Sequence, residues 1–345
     1  SAKQGMTITA SALEYGGRIG PDARVKQHQQ LAQRRFLSAG RWHMPEDDLM
    51  EWPVKTREIH NHHMDSTVWN RFKFRDDDII LATYAKSGTT WTQQILAQLI
   101  FNGAEGIEVS KLSPWYDLRI MPPEALAALD QQSHRRFVKT HLPLDALVFS
   151  PKAKYLYVAR DGRDMVWSLH NHHINANQQW YDALNDTPGR IGPPIVPPPE
   201  DVVAYFREWL EKDGYPFWSF WENVRSWWLA RRVPNVMLLH FNDLKRDLPG
   251  SIRQIARFLD IEIDEAAFPS IVEHCTFDYM KRHAEEVTPL GGIMWEGGAK
   301  TFINKGTNGR WKDLLTPADA TAYEEKALRE LGPECAHWLA TGEQA

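Results

Sequence analysis

The chain has 345 residues, of which 43% are hydrophobic and 25% charged, and its formal net charge is −5 at pH 7. It contains no block of Lys and Arg that would indicate a nucleic-acid-binding surface, and no apolar run approaches the length of a membrane span. Its two cysteines, Cys275 and Cys335, argue against a disulfide framework or a cysteine-rich metal site and fit a reducing, cytoplasmic compartment.

Residues 1–50 are polar and mixed, with weak helical periodicity around Val25–Leu37. We interpret them as an N-terminal extension, and the five residues before Met6 resemble an expression scar. The rest of the chain, 51–345, is expected to form the main domain.

From Asp78 onward, short apolar runs alternate with helical periodicity. The run over Asp78–Tyr84 predicts a buried strand, and the apolar spacing over Thr90–Asn102 predicts a helix capped by Gly103. Further strands are predicted at 137–139, 154–159 and 236–241, with a helix near 251–259. This alternation is typical of a parallel sheet covered on both faces, in which ligands bind beyond the carboxyl ends of the strands.

The segment 187–199 contains six prolines and is predicted to lack regular structure. We interpret it as an ordered excursion over the sheet, because strand and helix signals resume on both sides. A linker between domains is the alternative. Together with Trp180, Tyr181 and Trp295, the segment could form a lid over an apolar pocket.

The loop after the first predicted strand has the residues of an anion-binding turn. Lys86 brings a positive charge, Gly88 lets the backbone approach a ligand, and Thr89 and Thr90 add hydroxyl donors. The helix that follows has free N–H groups and a positive dipole end at its first turn. Because Lys86 precedes the glycine and no magnesium-binding acid is evident, the loop differs from the GxxxxGK[ST] motif. On these residues alone, a plain strand-to-helix turn is the alternative.

Five segments, in matching order and at compatible spacing, resemble the motifs of the cytosolic sulfotransferases. They are Tyr84–Trp91 (YAKSGTTW), Lys139–Pro143 (KTHLP), Tyr157–Asp161 with Asp164 and Ser168, Asn242–Lys245, and Lys305-Gly306 with Gly309, Trp311 and Lys312.

The resemblance covers residues 78–312 and implies a single α/β domain with a central parallel sheet flanked by helices, as in the P-loop nucleotide kinases. It implies 3′-phosphoadenosine 5′-phosphosulfate (PAPS) as the sulfuryl donor, adenosine 3′,5′-bisphosphate (PAP) as product, and no metal. The implied partner is a small-molecule acceptor, with no nucleic acid and no membrane.

The resemblance also implies roles for individual residues. His141 is the expected general base, Lys86 stabilises the leaving phosphate oxygen, and Lys139 stabilises the sulfuryl oxygens. Arg160 binds the 3′-phosphate as a planar fork, and Ser168 reaches the same phosphate and holds Lys86 away from the sulfate until the acceptor arrives. Trp91 is expected to stack on the adenine. The remaining donor-binding residues are Ser87, Gly88, Thr89, Thr90, Phe241, Cys275, Thr276, Phe277, Met280, Lys305 and Gly306.

This sequence departs from the family pattern at two places. Asn304 stands where the family has an arginine, which predicts weaker nucleotide binding unless Arg310 compensates. The family's dimer motif keeps Lys312 and Thr316 but lacks its valine and glutamate, so we infer no dimer from it.

Two histidine clusters, His60–His63 and His170–His173, lack carboxylate or cysteine partners at metal-ligand spacing. We expect them to form a solvated or acceptor-facing surface.

Two other functions stay open: a nucleoside or nucleotide kinase, which could share the sheet and the anion loop, and a non-catalytic nucleotide-binding module, which only Asn304 supports. The expected acceptor is a phenol, an aliphatic alcohol or a steroid-like molecule with a hydroxyl or amine group.

Overall fold

Four parallel strands form the central sheet of the computed structural model, which describes residues 52–344. The predicted extension over 1–50 lies outside the described residues. The strands are β1 (Ile79–Thr83), β2 (Phe137–Thr140), β3 (Lys154–Ala159) and β4 (Val236–His240), in the order β2-β1-β3-β4. Because all four run in the same direction, their carboxyl ends meet at one edge of the sheet.

Helices connect these strands and cover both faces of the sheet. The helices are α1 (Thr89–Ile100), α2 (Val109–Leu112), α3 (Pro123–Gln131), α4 (Gly162–Ile174), α5 (Gln178–Asp186), α6 (Val202–Glu211), α7 (Phe220–Leu229), α8 (Phe241–Arg246), α9 (Leu248–Phe258), α10 (Phe268–His274), α11 (Phe277–Arg282), α12 (Ala284–Val287), α13 (Ala299–Phe302) and α14 (Pro317–Thr341). Short 3-10 helices span Ser66–Arg71, Leu144–Ala146 and Pro289–Gly292.

Side chains on each strand alternate between two hydrophobic layers, as the pleat requires. Ile80 and Tyr157 point into the layer formed with α4, α6, α7 and α14. Ile79 and Leu156 point into the opposite layer, formed with α1, α9 and α10. The predicted α/β class, a parallel sheet covered on both faces, is therefore confirmed.

Helix capping explains two of the differences between the predicted and the observed element boundaries. β4 ends at His240 because Phe241 opens α8, and the His240 ring accepts a hydrogen bond from the backbone N–H of Asn242 at 3.1 Å. The helix predicted near 251–259 begins earlier, at Leu248, where the Asp247 carboxylate accepts from the Gly250 N–H. Side-chain acceptors at these N-caps satisfy donors that a helix leaves unpaired.

The proline-rich segment 187–199 contains neither helix nor strand, as predicted. It is nevertheless packed against the protein, since Ile195 is buried in a small cluster with Trp180, Tyr181 and Trp295. The Asn185 side chain also exchanges two hydrogen bonds with the Ile195 backbone, each 2.8 Å long.

The residue Thr316 of the degraded dimer motif serves the start of α14. Its hydroxyl accepts from the Asp319 N–H while the Asp319 carboxylate accepts from the Thr316 N–H, which forms a capping box. Pro317 occupies the first turn, where no N–H donor is needed.

None of the helices within 52–344 combines the length and hydrophobicity needed to cross a bilayer.

Candidate functional site

A cavity of about 320 Å³ lies where the carboxyl ends of the strands meet. It receives residues from the loops after all four strands and from the closing segment before α14. Of the residues predicted from the sequence, those lining it are Lys86, Gly88, Thr89, Thr90, Trp91, Lys139, His141, Arg160, Ser168, Phe241, Phe277, Met280, Lys305 and Gly306.

Three predicted residues do not line this cavity. The Ser87 hydroxyl is buried and has no hydrogen-bond partner among the described residues. Cys275 is buried in the hydrophobic layer beside α1, where burial raises the pKa of its thiol, and only its carbonyl meets the site, accepting from Trp91 Nε1 at 2.7 Å. Thr276 caps α11 by accepting from the Tyr279 N–H.

The turn between β1 and α1 brings backbone donors to the cavity. Lys86 has φ 64° and Gly88 φ 113°, both in the left-handed region. A Cβ at Gly88 would lie 3.1 Å from the Phe241 ring, so the turn needs a glycine for conformation and for close packing. Thr89 then begins α1, whose first residues line the cavity, and the free N–H groups of a helix N-terminus favour an anion.

Two lysines place positive charge in the same cavity. Burial and the charges of Lys139 and Arg160 lower the pKa of Lys86 to about 7. Burial lowers the pKa of Lys139 to about 8, although Asp117 opposes that shift. Two partly deprotonated lysines would regain their protons if an anion were bound between them.

Lys86 contacts His172, a member of the second histidine cluster. Its Nζ lies 3.4 Å from His172 Nδ1 and 4.2 Å from the centre of the Phe302 ring. Ser168 lines the cavity one helical turn earlier, but within residues 52–344 it makes no hydrogen bond to Lys86. The holding role expected for Ser168 stays a prediction.

The His141 imidazole is fixed by the end of β1. Its Nδ1 lies 2.8 Å from the Thr83 carbonyl oxygen, which can only accept, so Nδ1 carries the proton and Nε2 keeps its lone pair. Burial and the charges of Lys139 and Lys86 lower the pKa of His141 to about 3. Trp115 packs edge-on against the ring at 4.5 Å. The His141 imidazole is thus neutral, and its orientation is fixed.

Asp117 positions Trp115 and the end of β2. Its buried carboxylate accepts from Trp115 Nε1 at 2.6 Å, from Trp69 Nε1 at 2.8 Å and from the Thr140 hydroxyl. Burial raises the pKa of Asp117 to about 6, although these three donors oppose the shift. No sequence motif marks Asp117, because it lies outside the predicted strands and the family motifs.

Arg160 connects the end of β3 to the closing segment. Its guanidinium donates to the Thr307 carbonyl at 3.0 Å, to Asn308 Oδ1 at 2.7 Å, and to the Lys86 carbonyl at 3.3 Å. It also lies 4.2 Å above the Phe241 ring. Burial lowers the pKa of Arg160 to about 10. Arg160 therefore carries a positive charge at neutral pH beside the Lys86 turn.

The closing segment contributes Asn304, Lys305, Gly306 and Arg310 to the same cavity. Gly306 has φ 60°, and a Cβ there would lie 2.7 Å from the Phe277 ring. The Gly306 carbonyl accepts from Lys245 Nζ at 3.0 Å. Lys245 belongs to a motif after β4, so two separated motifs meet here.

Histidines and tryptophans line the opposite part of the cavity. Most of the two predicted clusters is buried rather than solvated, and members of both face the cavity: His63, His172 and His173. Around them lie Trp115, Trp180, Trp218 and Trp295. Among the described residues, no group of three or more His, Cys, Asp or Glu side chains has an arrangement suited to a metal ion.

Comparisons with known proteins show which family the chain resembles. The sulfotransferase domain family model matches residues 76–332 of the chain. A glycolipid sulfotransferase of Mycobacterium bovis is 31% identical over 85% of this chain and 97% of its own length.

Two solved structures have a similar fold. A mouse sulfotransferase in complex with PAP superposes with a TM-score of 0.62 at 22% identity, covering 79% of this chain and 91% of its own. Retinol dehydratase in complex with androsterone and PAP gives a TM-score of 0.56 at 25% identity, covering 75% of this chain and 81% of its own.

Proposed function

The chain belongs to the sulfotransferase domain family, a family of PAPS-dependent enzymes, and we propose that it transfers the sulfuryl group to a hydroxyl of a small, largely apolar acceptor, with His141 as general base. The observation that carries this proposal is the neutral His141 imidazole, whose Nδ1 is bound to the Thr83 carbonyl at 2.8 Å. This contact leaves Nε2 free to take a proton.

The residues present suit a doubly phosphorylated nucleotide. Among the described residues, the cavity is lined by six cationic side chains and one carboxylate, that of Asp164; the cations are Lys86, Lys139, Arg160, Lys245, Lys305 and Arg310. Arg160 is buried and Lys86 and Lys139 are partly buried, and this concentration of positive charge favours a bound anion. The N–H groups of the Lys86 turn would hold the 5′-phosphate, Arg160 and Ser168 the 3′-phosphate, and Trp91 and Phe241 the adenine.

Bound PAPS supplies a sulfuryl group attached to a good phosphate leaving group. His141 Nε2 takes the proton of the acceptor hydroxyl as its oxygen forms the new bond to sulfur and the old sulfur–phosphate oxygen bond breaks. Lys86 stabilises the charge that develops on the leaving phosphate oxygen, and Lys139 stabilises the equatorial oxygens. His172 holds Lys86 at 3.4 Å and would release it toward the phosphate.

The aromatic wall of the cavity supports an acceptor with an apolar body. Trp115, Trp180, Trp218 and Trp295 line it, and flat apolar side chains bury large areas of ligand. The relatives fit this reading, since one is named a glycolipid sulfotransferase and a structural neighbour is bound to androsterone. A phenol, an aliphatic alcohol or a steroid-like alcohol therefore suits the site.

The experiment is a transfer assay with ³⁵S-labelled PAPS and a panel of phenols, long-chain alcohols, sterols and glycolipids. Labelled product with at least one member, formed without added magnesium, supports the proposal. If no acceptor is labelled but phosphate is transferred from ATP in the presence of magnesium, the chain is a kinase. The absence of both reactions, with PAP still bound, would indicate a binding module.

A further inference from the structure

A chain of hydrogen bonds orients His63 on the acceptor side of the cavity. His62 Nε2 contacts the Pro216 carbonyl, and His62 Nδ1 contacts His63 Nδ1. A carbonyl can only accept, so His62 carries its proton on Nε2 and offers its Nδ1 lone pair. The proton between the two rings therefore belongs to His63 Nδ1, and His63 Nε2 keeps its lone pair.

Both imidazoles stay neutral in this arrangement. His62 and His63 are each 4% exposed, and burial lowers the pKa of both rings, with the charge of Arg119 adding to the effect. Arg119 also fixes their backbone, since its Nε donates to the His62 carbonyl at 3.1 Å and its N–H donates to the His63 carbonyl at 2.6 Å.

His63 lies on the same wall of the cavity as His141. Trp115 packs against both rings, at 5.9 Å from His63 and 4.5 Å from His141. Trp218 does the same, at 5.7 Å and 6.0 Å. Both rings line the cavity, and His63 Nε2 has no hydrogen-bond partner within residues 52–344.

We propose that the acceptor carries a second hydroxyl group near the one that is sulfated, and that this hydroxyl donates a hydrogen bond to His63 Nε2 while the first donates to His141. This inference rests on the proposed function. It narrows the acceptor to diols and polyols with an apolar body, including lipids with a sugar or glycerol headgroup.

The expected preference for a diol over a mono-alcohol follows from the burial of His63. A monohydroxy acceptor would cover His63 Nε2 with apolar surface and leave a buried acceptor atom unpaired, which is unfavourable. The net free energy of one such hydrogen bond corresponds to a roughly threefold to tenfold difference in affinity. We expect a preference of that size for a diol over the matched mono-alcohol.

The test compares 1,2-octanediol with 1-octanol, and catechol with 2-methoxyphenol. The kcat/KM for ³⁵S transfer should be about threefold to tenfold higher for the diol of each pair. Binding of the same compounds to the PAP-loaded protein, followed by calorimetry, should show the same preference without depending on turnover. If, in either assay, the diol and its matched mono-alcohol give equal values in both pairs, the inference is overturned while the proposed function stays intact.

Variants of His62 and His63 test whether His63 causes the preference for a diol. His63→Phe keeps a flat ring without the lone pair and should bring the diol-to-mono-alcohol ratio close to one, whereas His63→Gln retains an acceptor atom and should restore part of it. His62→Phe, which removes the partner of His63 Nδ1, should also lower the ratio. His170→Phe is the control, since its ring binds the Pro199 carbonyl at 2.7 Å outside the cavity lining.

PAP affinity, measured for each variant, shows whether the nucleotide half is still folded. With that affinity unchanged, a diol preference retained in His63→Phe would contradict the inference. If the wild-type chain does not bind PAP and sulfates none of the four compounds, that result would instead contradict the proposed function.

Discussion

The affinity for PAP should fall steeply as pH rises above 7. The pKa of Lys86 is lowered to about 7 by burial and by the charges of Lys139 and Arg160. A lowered pKa means that the free protein loses the Lys86 proton as pH rises through 7. A bound phosphate favours the charged lysine, so binding above pH 7 must take up a proton.

The size of the expected decrease in PAP affinity follows from the protonated fraction of Lys86. With a pKa near 7, that fraction falls from about one half at pH 7 to about one hundredth at pH 9, so binding through Lys86 alone should weaken by about fiftyfold. Lys139, with its pKa lowered to about 8, adds to the decrease in the same direction. The phosphates of PAP are almost fully ionised over this range, so their titration contributes little.

The assay is calorimetric titration with PAP at pH 7, 8 and 9, in buffers of different ionisation heat so that proton uptake is counted directly. Lys86→Arg is the matched control, because arginine keeps its charge over the whole range, and its affinity should fall much less with pH. A wild-type affinity independent of pH, or the same pH dependence in Lys86→Arg, would show that PAP binding is not linked to protonation of Lys86.

Three further predictions follow from individual contacts. His141→Ala should lower kcat by roughly 10²–10⁴, the range of a general base, with PAP affinity unchanged; unchanged turnover would exclude His141 as the base. Asn304→Arg should strengthen PAP binding, because it adds a positive charge to the cavity that Arg310 also lines, and calorimetry showing no gain would contradict the expectation that Asn304 weakens nucleotide binding. Gly306→Ala should weaken PAP binding, since its Cβ would lie 2.7 Å from the Phe277 ring; wild-type affinity in this variant would show that the closing segment does not hold the nucleotide.

The strands and the anion-binding turn could be predicted from the sequence because their signals are local. The strands are short and mainly apolar, and the predicted strand 154–159 has the same bounds as β3. The turn follows β1 directly, and its Lys86 and Gly88 have the positive φ angles that such a turn uses. The end of β4 was missed because Phe241, although apolar, begins a helix.

The acceptor side could not be predicted because its contacts are remote in sequence. Lys86 and His172 are 86 residues apart, and His62 and Pro216 are 154 residues apart. The two histidine clusters were visible in the sequence, but whether they faced solvent or the cavity depended on the packing of α4 and of the segment before β1. Cys275 shows the opposite error, since alignment with a motif did not imply that its side chain lines the cavity.

The most direct test of the account is a crystal structure of the protein with PAP. We expect the 5′-phosphate to bind the N–H groups of the turn beginning at Lys86, on the side that faces His141 Nε2, and the 3′-phosphate to bind Arg160 and Ser168. PAP bound away from the Lys86 turn, or with the 5′-phosphate on the side remote from His141, would contradict it.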